Sequence, residues 1–175
     1  MRIAGIFFGC IMSIFLLAGC STAGGGSVGE SESTGVSPPV DDQSAEKWAI
    51  IATNLRTGAL HGTVYSVNIP RADLEITHVD FGDIPVAAGL ESQFHFFLCS
   101  CGKAFFSGQL CVVDDEANDV IDELRAAHIK VASMGPMFIG DRPRILMLHV
   151  QGEGEAEDLS LGLKKALRWM NRKKN

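Results

Sequence analysis

A chain of 175 residues with 21 acidic and 15 basic side chains carries a formal charge of -6, which excludes a generic nucleic-acid binder, whose footprint is a basic surface. The average conceals a polarity. Residues 45–163 hold 8 bases against 17 acids, a net of -9, whereas from Lys164 onward there are six bases and no acid. Such an end suits the negative pole of a closing helix or anionic lipid headgroups.

The chain opens with one positive charge, Arg2, and an apolar run from Ile3 to Leu17. The run is too short to span a bilayer core, which needs about 20 apolar residues, and it ends on small residues, as a cleaved export signal does. Leu17-Ala18-Gly19-Cys20 resembles the bacterial lipobox. That resemblance implies removal of residues 1–19 and acylation of Cys20, with membrane lipid as the partner and attachment to the extracytoplasmic side of a cell or outer membrane. Residues 20–44 are rich in Gly, Ser and Thr with a Pro38-Pro39 pair, a tether that buries too little to fold. Residues 45–175 form the single domain. Roughly 130 residues bury about two-thirds of the unfolded surface, so no disulfide or metal staple is required.

Asp42 or Ser44 offers an N-cap for a helix carrying Trp48, Ile51, Ala52 and Leu55 on one face and ending near Gly58. Thr63, Tyr65, Val67 and Ile69 alternate with Val64, Ser66 and Asn68 as a half-buried strand does, and Pro70 closes it. A second strand is expected over Leu74 to Val79, then a loop from Phe81 to Leu90. Phe94 to Cys99 and Ala104 to Val113 read as a central hairpin. Asp114, Asp115 and Glu116 fill the first turn of a helix whose apolar face is Ala117, Val120, Ile121 and Leu124. Short strands follow at Ile129 to Ser133 and Arg144 to Val150, then a turn at Gln151-Gly152-Glu153-Gly154 and a final helix from about Glu157 to Met170. The expected fold is α+β: a mostly antiparallel sheet of about six strands with helices packed on one face.

The stretches Ile69-Pro70-Arg71-Ala72-Asp73-Leu74, Ser107-Gly108-Gln109-Leu110, Gly140-Asp141-Arg142-Pro143-Arg144-Ile145 and Leu148-His149-Val150-Gln151-Gly152 resemble the LppY/LpqO group of bacterial lipoprotein domains, whose function is unassigned. The resemblance covers roughly residues 45–170. Family members carry a His-Asn-His run where this chain has Gly135-Pro136-Met137, and often a histidine in place of Glu153. What the resemblance implies here is a binding copy without those imidazoles.

The residues themselves give few catalytic signals. His61, His78, His95, His128 and His149 include no pair at ligand spacing, so no metal and no cofactor are expected. His78 and His95 alternate with apolar neighbours as satisfied sheet histidines do. His149, expected at a strand's exit, is the functional candidate. Arg71 and Arg144 follow prolines, and guanidinium suits carboxylate or phosphate; Asp73 and Asp141 are the local acids each would pair with. A two-residue turn at Cys101-Gly102 would set Cys111 opposite Ser92 and leave Cys99 roughly 23 Å from it, too far for a bridge. At least one thiol is then unpaired, Cys111 reads as a small buried hydrophobe, and a Cys-x-Cys pair alone does not specify a metal or redox site. Two functions follow. One is a tethered, non-catalytic binding or interaction module using Arg71, Asp73, Arg144, His149 or Glu153 toward a small molecule or protein. The other is a small metal-dependent or acid-base hydrolase built on His149, Glu153 and Arg144.

Overall fold

The computed structural model describes residues 42–170. The expected export signal, Cys20, the expected tether up to residue 41 and the last basic residues Arg172, Lys173 and Lys174 lie outside them, whereas residues 42–44, expected to belong to the tether, are already helical. In chain order the described elements are α1 (Asp42–Asn54), β1 (Ala59–His61), β2 (Val64–Pro70), β3 (Ile76–His78), β4 (Gly82–Ile84), β5 (Glu91–Leu98), β6 (Ala104–Val113), α2 (Asp114–Ala126), β7 (Lys130–Pro136), β8 (Asp141–Arg142), β9 (Ile145–Gly154) and α3 (Ala156–Leu167). The fold is α+β.

Six strands form one antiparallel sheet in the order β1-β2-β5-β6-β9-β7. Alternation assigns its two faces. Tyr65, Val67, Phe94, Phe96, Phe106, Leu110, Leu148 and Val150 point to one side and are buried, and the three helices cover that side with Ile51, Val120, Leu124, Leu159 and Leu163. Phe106 is the centre of the aromatic packing, 5.3 Å from Phe96 and edge-on to Phe94 at 6.3 Å. Trp48 of α1 stacks on Tyr65 at 5.3 Å, and Asn54 donates to the buried Ser160 hydroxyl of α3 at 2.9 Å.

Among the described residues, the opposite face is covered only at one end. There β4, β3 and β8 make a second, three-stranded sheet, whose Ile76 packs with Leu90, Cys111 and Ile145. The segment expected to be one strand from Leu74 to Val79 is shorter than the sequence implied and belongs to this small layer, and the expected loop from Phe81 to Leu90 contributes β4.

Two further corrections bear on the site. The expected turn at Gln151–Gly154 is strand: β9 pairs with β6 as far as Gly154 opposite Ala104. Gly152 is there for packing, since a Cβ would sit 2.6 Å from Phe106 and 3.0 Å from Leu159. The central hairpin closes with Leu98 opposite Ala104 and a five-residue connection, one residue out of the expected register. Cys99 and Cys101 within it form a disulfide, while Cys111 is free and buried, its amide donating to Ser92 Oγ at 3.1 Å.

Candidate functional site

The uncovered part of the sheet is polar because the outward positions of its central strands are polar. Gln93 and His95 of β5, Ser107 and Gln109 of β6, and His149 and Gln151 of β9 alternate with the buried core residues, and pairing sets them side by side: Gln93 against Gln109, His95 against Ser107, Gln109 against His149, Ser107 against Gln151. They line two adjoining hollows. One, of about 480 Å³, includes Gln93, Gln109, Ser133, Met137, Met147 and His149, where the small sheet ends. The other, of about 300 Å³, includes Gln93, His95, Ser107, Gln109, His149 and Gln151. Gln93, Gln109 and His149 line both.

Hydrogen bonds orient this surface. Gln93 donates to Glu91 at 2.5 Å and accepts from the Gln109 amide at 3.3 Å, so the relay runs from the Gln109 amide to the Glu91 carboxylate. His95 Nδ1 lies 3.0 Å from Ser66 Oγ. Beyond His95 toward the hairpin tip, Phe97 and Phe105 stack face to face at 5.6 Å, with Phe97 42 % exposed. An aromatic shelf therefore adjoins the polar trough. Among the described residues, no Asp, Glu, Lys or Arg lines either hollow.

The candidates from the sequence are not brought together. His149 is central to the trough, within β9 and not at its exit. Glu153 lies on the same face, but four residues of strand place it about 13 Å away, paired with Lys103 at 3.5 Å. Arg144 is exposed beside the small sheet, and Asp141, the acid expected to pair with it, accepts the Ile145 amide at 2.6 Å instead. Arg71 and Asp73 do meet each other, with Arg71 Nε and Nη2 on the two Asp73 oxygens at 2.9 Å. Arg71 also binds Glu116, the Cys111 carbonyl and the Met170 carbonyl, which engages every donor nitrogen of its guanidinium within the protein. Desolvation lowers the Arg71 pKa, but hydrogen bonds and charge from Asp73 and Glu116 outweigh it, and the net shift is upward. Burial pushes the Cys111 thiol up to about 11, against a smaller downward pull from Arg71.

His78 is a satisfied histidine of the small sheet. Its Nδ1 accepts the Asp80 amide at 3.0 Å, Nε2 donates to the Ile139 carbonyl at 2.7 Å, and Phe81 stacks on the ring. Among the described residues no group of three His, Cys, Asp or Glu side chains is placed to hold a metal ion.

Gln93 drew no notice in the sequence, and Ser107, Gln109 and Gln151 stood out there only as parts of the family-like stretches and of an expected turn, not as functional candidates. The signal was present as polar positions two apart in otherwise apolar strands, but only the register joins them into one surface.

No curated protein and no solved structure matches the chain. A family model described as Domain of Unknown Function (DUF1259) matches residues 50–169, which span all of β1 to α3 and with them the whole polar trough. The chain therefore belongs to the DUF1259 family.

Proposed function

We propose that the domain is a binding module, held at a membrane surface through an acylated Cys20, whose open sheet face takes, without chemically transforming it, an uncharged, hydroxyl-rich ligand of the sugar class. The observation that carries this reading is the set of polar side chains lining the two hollows: amides, hydroxyls and imidazoles and, among the described residues, no carboxylate, ammonium or guanidinium. Amide side chains donate and accept together, which matches hydroxyl groups and gives no advantage to a charged ligand. The Phe97–Phe105 shelf supplies the apolar ground that the C–H face of a sugar ring needs. A leash ending in a lipobox accords with the resemblance to LppY/LpqO lipoprotein domains.

Titration of the full-length chain in detergent with neutral oligosaccharides, followed by calorimetry, tests this. Binding is expected, and His149→Ala and Gln109→Ala should each weaken it about tenfold, since each strands polar groups in the trough. Preference for charged ligands, or binding indifferent to both substitutions, would defeat the reading. A hydrolase built on His149 would instead release new reducing ends, and that release would cease in His149→Ala.

A further inference from the structure

The connection between β5 and β6 holds its shape without sulfur. Cys99 N donates to Lys103 O, and Gly102 N to Cys99 O, both at 3.0 Å; Gly102 takes the left-handed conformation, φ +82°, that such a turn requires. The strands on either side are in register through six pairs. A disulfide two residues apart closes almost the smallest loop possible, where the entropic gain from cross-linking is least. The Cys99–Cys101 bond is therefore redundant as a staple.

Its surroundings suit exchange. Cys101 is exposed and Cys99 half-buried. The Cys101 amide donates to Cys99 Sγ at 3.1 Å, and the half-buried Lys47 ammonium is fixed on the Gly102 carbonyl at the same turn. An amide donor and a nearby cation both favour a thiolate over a thiol. The exposed Phe97 lies one pair from the turn and offers apolar contact to a peptide.

We propose that Cys99–Cys101 is a thiol–disulfide exchange site that oxidises dithiols of other polypeptides. A client thiolate attacks Cys101 Sγ, forming a mixed disulfide as the Cys99–Cys101 bond breaks, and its electron pair leaves on Cys99 Sγ. The client's second thiolate then attacks the client sulfur of that mixed disulfide and expels Cys101 as thiolate. The client has lost two electrons and two protons, and the Cys99/Cys101 pair has gained them. A low-molecular-weight disulfide resets the site by taking the same two electrons through the same kind of exchange.

The test uses the full-length chain in detergent, a reduced dithiol peptide and a glutathione redox buffer, with thiols located by alkylation and mass mapping. The Cys99–Cys101 pair should equilibrate with the buffer, accelerate oxidation of the peptide, and melt at the same temperature oxidised or reduced. With oxidised glutathione, Cys99→Ser should accumulate the mixed disulfide on Cys101, and Cys101→Ser should do so on Cys99 about tenfold more slowly; Lys47→Met should slow peptide oxidation by about threefold. A pair that stays oxidised in excess reduced glutathione, or whose reduction lowers the melting temperature as loss of a structural bridge does, would overturn the proposal.

Discussion

Both terminal nitrogens of Arg71 meet both carboxylate oxygens of Glu116, each at 2.9 Å, although the residues are 45 positions apart in the chain. Glu116 also accepts the Val113 amide at 3.1 Å and so caps the start of α2. The pair thus ties the end of β2 to the helix that follows β6. Removing one member of a buried pair leaves an uncompensated charge and costs about 3–5 kcal/mol. Arg71→Met should lose that much in urea unfolding, and Glu116→Gln, which keeps an acceptor, about 1–3 kcal/mol. A loss below about 1 kcal/mol for Arg71→Met would show that the cluster is not what holds these elements together.

His128 is strained where glycine would not be. It follows α2 with φ +58°, its amide bonded to Arg125 O at 3.0 Å and the next amide, Ile129, to Leu124 O at 2.8 Å, the two bonds of a Schellman cap. Leu124 and Ile129, both buried, supply the accompanying apolar contact. His128→Gly should stabilise the domain by about 1 kcal/mol, raising the melting temperature by about 3–5 °C. An unchanged or lower melting temperature would contradict this account of the cap.

Alkaline pH should destabilise the domain through Cys111. Burial raises the folded thiol from its ordinary value of 9.0 to about 11, so the neutral form is preferred in the folded state. Its contribution is full below the unfolded pKa near 9 and is lost as pH rises through 11, on the order of 2 kcal/mol in all. The difference in unfolding free energy between the natural chain and Cys111→Ala should therefore narrow across that window. Parallel curves would rule the thiol out.

Anchoring is tested at Cys20. An acylated chain partitions into detergent, and stable attachment takes more than one acyl chain. Cys20→Ala should accumulate as uncleaved precursor or enter the aqueous phase. A natural chain found wholly in water, its signal removed elsewhere, would remove the membrane from the proposed function.

Periodicity revealed the elements long enough to show a period. The face of Ala117, Val120 and Leu124 marks α2, and the apolar run from Ala104 to Val113 has the bounds of β6. β4 and β8, of three and two residues, are too short to carry any alternation. Gly152 and Gly154 read as a turn because glycine usually marks one, yet at Gly152 the backbone needs no special conformation; the missing side chain leaves room for Phe106. Arg71's link to Asp73 is local and could be read directly, whereas its link to Glu116 exists only through the fold. The trough is similar: His149 stood out by residue type, but Gln93 and Gln109 become its neighbours only once three strands are in register.

The bond from Arg71 to the Met170 carbonyl, 2.7 Å long, joins positions 99 residues apart. Its closure waits for the last helix, so a nascent chain that has made every strand still lacks the final clasp on β2. Synthesis adds about 5–20 residues each second, which leaves an interval in which most of the domain exists but cannot lock. If residues 1–19 act as the expected export signal, that delay favours passage through a translocation channel that admits polypeptide only before it has folded.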